Sequence, residues 1–148
     1  MKKIPAKNLE KLSNGLLPGD IILLWRIDFG TFTTESWFPK YFTQDYGIDA
    51  PAHLRELLAH GYVELDDIYS TLEAHVSGEK IRQVLFERLG KKFSGANKLE
   101  LLDLAEATFS QKELEELFEI RGYSLTEKGE KALQDGAEAV ARHPKKKY

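Results

Sequence analysis

The chain has 148 residues, 42% of them hydrophobic and 30% charged, and a formal net charge of −3. That length suits one domain or two very small ones, and the composition is that of a soluble globular protein. Cysteine is absent, which excludes disulfides and thiolate metal sites and suits a reducing cytoplasm. The longest apolar run, residues 21–25, is too short to cross a bilayer, and no signal-peptide pattern follows the basic start. We therefore expect a cytoplasmic protein.

The first segments are punctuated by glycine and proline. Residues 1–13 are polar and predict a loose start or a short helix. Pro18 lies where a helix through Ile27 can begin, since proline is tolerated in a first turn. Residues 21–27 also fit a buried strand, and periodicity does not separate the two. We favour the helix.

An aromatic segment follows, and after it a leucine-rich one. Ser36 is an N-cap candidate for a helix over 37–46, which carries four aromatic side chains between Trp37 and Phe42. Pro51 opens the next helix and Gly61 ends it, while residues 62–65 alternate like a short strand. The sequence therefore predicts short helices followed by a strand.

Short helices followed by such a strand resemble a winged-helix arrangement. This winged-helix-like part would form the N-terminal half of the chain, residues 1–66. The residues that carry this resemblance are 46–48 and 57–63. The helix in the recognition position offers Arg55, His53 and His60 as contacts, balanced by Glu56. A three-helix packing unit with no DNA contact gives the same pattern, and we favour it over base reading. The spacing of the two histidines and the glutamate is not that of a known zinc helix, so no metal site is predicted.

Two helices joined by a basic loop follow. Residues 66–78 predict a linker with one helical turn, and Ser77 predicts the N-cap of a helix over 79–89. That helix is predicted from one apolar stripe, made of Ile81, Val84, Leu85 and Leu89. Gly90 predicts its end, and a second helix over 97–107 is predicted with Ser94 or Asn97 as its cap.

The last segments are also predicted to be helical. Ser110 predicts the cap of a helix whose inward side chains are Leu114, Leu117 and Phe118, with glutamates toward water. Residues 123–125 predict an extended piece, and Thr126 the cap of a final helix that Pro144 stops. Residues 145–148, three lysines and a tyrosine, predict a frayed tail.

Charge is spread unevenly along this half. Residues 79–98 hold six basic and two acidic side chains, whereas 99–120 hold seven acidic and one basic. Backbone N–H groups in the loop, a helix N-terminus and three nearby lysines would together attract an anion such as a phosphate. The alternative is that these are ordinary solvated faces, which charge alone favours.

The segment from Ile81 to Leu104 resembles the SAP domain, a helix–extended loop–helix DNA-binding motif. The matching residues, in chain order, are Ile81, Leu85, Leu89, Gly90, Phe93, Ser94, Gly95, Lys98, Leu101 and Leu102. Lys91 stands where that family has a leucine. Residues 117–118 and 123–129, and upstream 38–42 and 46–48, resemble segments of bacterial and phage proteins that carry the motif. A second register begins at Val76, where Val-Ser-Gly repeats the later Phe-Ser-Gly.

The resemblance implies a mainly α fold and binding of AT-rich duplex through its backbone and shape. It divides the chain into the winged-helix-like part, a SAP-like helical part at 67–143 and the basic tail at 144–148. The implied DNA contacts are Arg88, Lys91, Lys92, Ser94, Gly95 and Lys98. Phe93 is predicted to anchor the loop in the core rather than to stack on a base.

Catalytic motifs are missing from the sequence. No nucleophile elbow, phosphate-binding loop or dinucleotide fingerprint occurs, so we expect a non-enzyme without cofactors. The competing hypothesis is a protein-interaction module that needs no nucleic acid. It would use either the aromatic region 37–46 or the acidic helix 110–120.

Overall fold

The structure, a computed structural model, describes residues 3–144. Its helices are α1 (Pro18–Asp28), α2 (Tyr41–Gln44), α3 (Ala50–Ala59), α4 (Ile68–His75), α5 (Gly78–Leu89), α6 (Lys98–Thr108), α7 (Gln111–Leu117), α8 (Glu127–Asp135) and α9 (Ala137–Arg142). A 3₁₀ turn at Ala6–Leu9 precedes them. Two strands, β1 (Val63–Leu65) and β2 (Tyr123–Leu125), form an antiparallel pair. The predicted mainly α fold with short strands is confirmed. None of the described helices is both long and apolar enough to span a bilayer.

The chain forms two compact units, each with its own apolar core. Unit 1 comprises residues 3–32, 36–65 and 123–144 of the described chain, and unit 2 comprises 33–35 and 66–122. The change from unit 1 to unit 2 at residues 65–66 comes directly after β1. The segment after residue 122 returns to unit 1, which differs from the predicted single part at 67–143. The reason is the strand pair, because β2 bonds to β1 and continues into helices that pack on α1.

Unit 1 is built around α1. Residues 21–24 of this helix are fully buried, and α3, α8, α9 and β2 all pack against it. A helix covered on every side carries apolar residues all round. This is why its sequence fitted a buried strand as well as a helix.

The start of α8 is held against the turn that follows α3. Thr126 donates its backbone N–H to the Tyr62 carbonyl at 3.1 Å and its hydroxyl to the Gly61 carbonyl. Gly129 packs so closely on Tyr62 that a Cβ at this position would lie 2.0 Å from the carbonyl oxygen. The residues Thr126 to Gly129 therefore fasten the C-terminal segment to unit 1.

Unit 2 contains α4 to α7. Its core is a cluster of buried side chains, the least exposed being Ile68, Leu72, Ile81, Leu85, Leu101 and Leu114. Ser77, Asn97 and Ser110 cap α5, α6 and α7 through their side-chain oxygens. Each helix begins beside a residue whose oxygen satisfies an otherwise unpaired N–H.

Four local predictions were wrong. The linker at 66–78 contains a complete helix, α4, whose N-cap is Asp67. The aromatic segment is helical only from Tyr41. The first backbone hydrogen bonds of this helix are donated to the Pro39 and Lys40 carbonyls, so the helix does not include Trp37 or Phe38. The final helix is divided into α8 and α9 at Gly136. Leu117, predicted to face inward, is 48% exposed. The tail at 145–148 lies outside the described residues.

Candidate nucleic-acid interface

The basic loop lies between α5 and α6, as predicted. Gly90 ends α5 in the left-handed conformation, with φ of +70°, a backbone state that glycine adopts without strain. Asn97 rather than Ser94 caps α6, since its side-chain oxygen accepts the Glu100 N–H at 2.9 Å. Between them runs a loop with a turn, in which the Ala96 N–H donates to the Phe93 carbonyl at 3.1 Å. The earlier Val-Ser-Gly copy at residues 76–78 lies instead at the close junction of α4 and α5.

Arg82 holds this loop to α5. Its Nε donates to the Phe93 carbonyl and its Nη2 to the Ala96 carbonyl, both at 3.1 Å. Its Nη1 donates to the Glu79 carboxylate at 2.5 Å, which fixes the guanidinium on the helix surface. The loop therefore folds back along α5, where charge-assisted hydrogen bonds hold its Phe93 and Ala96 carbonyls. Phe93 packs against the unit 2 core, so the predicted loop anchor is confirmed.

Four of the six predicted contact residues lie together in this loop. Lys91, Lys92, Ser94 and Gly95 are all exposed. Within residues 3–144, neither lysine has an ion pair with a carboxylate. Both ammonium groups are thus available to a ligand in solvent.

Lys98 and Arg88 lie elsewhere. Lys98 donates its Nζ to the Glu73 carbonyl of α4 and lies beside Gly78, at the start of α5. Arg88 is ten residues further along that helix, roughly 15 Å along its axis. Its Nη1 donates to the Glu113 carboxylate at 2.9 Å, and its guanidinium lies 5.1 Å from the Phe109 ring centroid. Both cations therefore already have partners within unit 2, and they lie near opposite ends of α5.

The N-terminus of α6 offers less to an anion than its sequence indicated. Asn97 occupies one N–H of the first turn, and Glu100 places a carboxylate there. That carboxylate already complements the positive end of the helix dipole and repels a phosphate. The exposed lysines, rather than the helix end, are the attractive groups of this loop.

Helix α3, in the part of the chain that the sequence predicts to be winged-helix-like, offers few cations. His53 shares a 2.6 Å hydrogen bond with Asp20 of α1, and His60 lies 3.2 Å from Glu56. Arg55 is exposed. The described residues contain no group of three or more histidine or carboxylate side chains arranged to hold a metal. The geometry of α3 supports a packing role.

Most of the aromatic region belongs to the unit 1 core. Phe42 and Tyr46 are buried, whereas Trp37 is 88% exposed. The Tyr46 hydroxyl shares a 2.5 Å hydrogen bond with Nδ1 of His143, and burial, reinforced by Asp45, raises the pKa of Tyr46 to about 12. Interaction through this region would therefore depend on Trp37.

The residue that sequence reasoning missed is Arg82. It counted only as one of six basic side chains, although it is the group that fixes the loop. Its partners are backbone carbonyls of residues 11 and 14 positions away, and no side-chain pattern marks such acceptors. The available signal was its place on α5, off the apolar stripe and next to the loop.

Comparison of the chain with protein-family models, with curated proteins and with solved structures found no match.

Proposed function

We propose that the chain is a non-catalytic DNA-binding protein that contacts duplex phosphates through the loop at 90–97. The observation that carries the proposal is the ordered loop with two exposed, unpaired lysines, held in place by Arg82. The DNA of a bacterium and of its mobile elements lies in the cytoplasm, so we place the protein there as part of the same proposal.

The physical basis is local charge rather than net charge. Lys91 and Lys92 are adjacent cations on a chain whose formal net charge is −3. Each phosphate that they neutralise releases counterions from the duplex, which favours binding at low salt. Ser94 and Gly95 lie two to three residues further on, where a loop without bulky side chains allows a close approach to a phosphate.

This geometry supports binding with little sequence discrimination. Contacts to phosphates fix position on the duplex but carry no direct information on base identity. The loop has no exposed asparagine, glutamine or arginine that could read a base edge by paired hydrogen bonds, apart from the Asn97 cap. Shape and flexibility of AT-rich duplex are the features left for discrimination.

The test is a titration of fluorescein-labelled AT-rich duplex followed by fluorescence anisotropy at several salt concentrations. We expect the double variant Lys91→Glu with Lys92→Glu to bind about tenfold more weakly or worse. The slope of log affinity against log salt should fall by about 2, since two phosphate contacts are lost.

The matched control is Lys7→Glu with Lys11→Glu, which changes net charge equally at two exposed lysines of unit 1. We expect it to keep most of the affinity and the slope. Equal weakening by both pairs would show that only net charge matters. Absence of binding by the unmodified chain at low salt would overturn the proposal.

A further inference from the structure

Unit 2 has a second surface feature, a groove between α5 and α7. Two adjoining cavities of about 340 and 470 Å³ form it. They share four lining residues, namely Val84, Glu87, Glu116 and Leu117. Cavities of this size are within the range that accommodates ligand side chains in proteins.

The floor of the groove is apolar. Phe109 and Phe118 line it from the core side. Val84 is partly buried. Leu117 exposes 48% of its surface, although the helix that carries it has a buried face. An exposed leucine at the mouth of an apolar depression is a feature of helix-binding grooves.

The walls of the groove are acidic. Glu87 and Glu116 flank the shared section, and Glu119 lines one end. None of these three carboxylates has an ion pair with another residue in the described part of the chain. The cation Arg88 is neutralised by Glu113, which leaves Lys80 as the remaining cation of the lining. The groove therefore has an excess of negative charge that an occupant would have to complement.

We propose that this groove binds a basic amphipathic helix of a partner protein. The apolar stripe of that helix would lie between Val84 and Leu117, and lysine or arginine side chains on its flanks would face Glu87 and Glu116. The wall formed by α5 runs from Lys80 to Arg88, about 12 Å or two helical turns. That length matches two or three anchors spaced at i, i+4 and i+7.

This surface is separate from the basic loop. Successive residues of a helix are about 100° apart around its axis, so Val84 and Glu87 lie on the side of α5 opposite Arg82. Arg82 holds the loop, whereas the other two line the groove. The inference therefore does not depend on DNA binding. The two surfaces are tested in separate titrations, because a lysine-rich peptide would itself bind a duplex.

The probe is a labelled peptide of about 16 residues, long enough to form a helix, with leucines on one face and lysines beside them. Its binding to the full chain is measured by anisotropy and mapped by ¹⁵N–¹H spectra. A peptide with glutamates in place of the lysines, and one with serines in place of the leucines, are the comparators. We expect saturable binding of the first peptide alone, with shifts at Val84, Glu87, Glu116 and Leu117.

Two variants and one control test the assignment. Glu87→Lys with Glu116→Lys should weaken peptide binding about tenfold, because two attractive pairs become repulsive. Leu117→Ser should weaken it to a similar degree and leave duplex binding unchanged. Leu99→Ser removes a leucine that is 67% exposed on α6 and should have no effect on peptide binding.

Three outcomes of the peptide titrations would overturn the proposal. They are equal binding of the acidic peptide, shifts centred outside the groove, and no saturable binding while the spectra show folded protein. Concentration-dependent self-association that broadens the groove signals would also contradict it, since a second copy of the chain would then be the occupant.

Discussion

Gly129 is the position where a single added methyl group should have the largest effect on unit 1. A Cβ there would lie 2.0 Å from the carbonyl oxygen of Tyr62 and 3.0 Å from its carbonyl carbon. Both atoms belong to the backbone, so no side-chain rotation relieves the contact. Gly129→Ala must therefore move the start of α8 away from the turn after α3.

The size of the effect follows from what that movement breaks. Overpacking of a tight contact costs about 1–3 kcal/mol. The two hydrogen bonds from Thr126 to the carbonyls of Gly61 and Tyr62 contribute about 1 kcal/mol each. Alanine recovers about 1 kcal/mol through its higher helix propensity. The net loss in the free energy of unfolding of unit 1 should be about 2–4 kcal/mol.

Tryptophan fluorescence isolates this effect, because both tryptophans, Trp25 and Trp37, belong to unit 1. In urea titrations we expect the midpoint of the fluorescence transition to fall by about 1 M or more. Gln134→Ala, an exposed substitution on the same helix, should change the free energy by less than about 0.5 kcal/mol. A Gly129→Ala variant as stable as this control would refute the close approach of α8 to Tyr62.

Three further predictions concern single side chains. Arg82→Met removes the two hydrogen bonds to loop carbonyls, so hydrogen exchange in the loop should quicken and duplex affinity should fall a few-fold, about 1 kcal/mol. Tyr46→Phe should lower stability by about 1 kcal/mol at neutral pH by removing the bond to His143. Because the pKa of Tyr46 is raised from 10.0 to about 12, its contribution is complete below pH 10 and is lost toward pH 12; the variant should lack this alkaline loss. Hydrogen bonds from the Ser110 backbone and Arg88 lower the pKa of Glu113 below 4.5. The stability that the ionised carboxylate contributes is therefore lost as pH falls through the lowered pKa. In acid titrations, Glu113→Gln should show a smaller loss of stability than the unmodified chain.

The parts of the fold that the sequence predicted well are those set by neighbouring residues. Gly90 ends α5, and Ser77 and Ser110 cap the helices that follow them. Caps and left-handed glycines act on residues within one helical turn, so they can be predicted from neighbouring residues in the sequence. Asp67 acts in the same way, since its carboxylate accepts the Ser70 N–H at 2.7 Å, yet the sequence analysis predicted only a linker with one helical turn there.

The parts that failed depend on distant contacts. Residues 123–125 pair with 63–65, although residues 66–122 lie between them in the sequence. No local pattern in either strand identifies its partner. The ion pair of Arg88 was not predicted, because Glu113 is 25 residues away in the sequence although it lies 2.9 Å away in space. Leu117 follows the apolar spacing of its helix, yet it is 48% exposed, whereas Leu114 and Phe118, predicted with it to face inward, are buried.

The candidate site was therefore predicted in part. The loop and its two exposed lysines follow from composition and helix limits, whereas the separation of Lys98 from Arg88 follows from how α5 and α6 pack. Arg82 became visible only through its hydrogen bonds to the Phe93 and Ala96 carbonyls. Side-chain charge is readable from sequence, but backbone acceptors are not.

The most direct test of DNA binding by this loop is a titration of ¹⁵N-labelled protein with AT-rich duplex, followed residue by residue. The account predicts that the amide signals of Lys91, Lys92, Ser94 and Gly95 shift first and furthest at low salt, and that added salt reverses the shifts. Shifts centred on Arg55 and the rest of α3, with the loop unchanged, would contradict it and assign DNA binding to the winged-helix-like half.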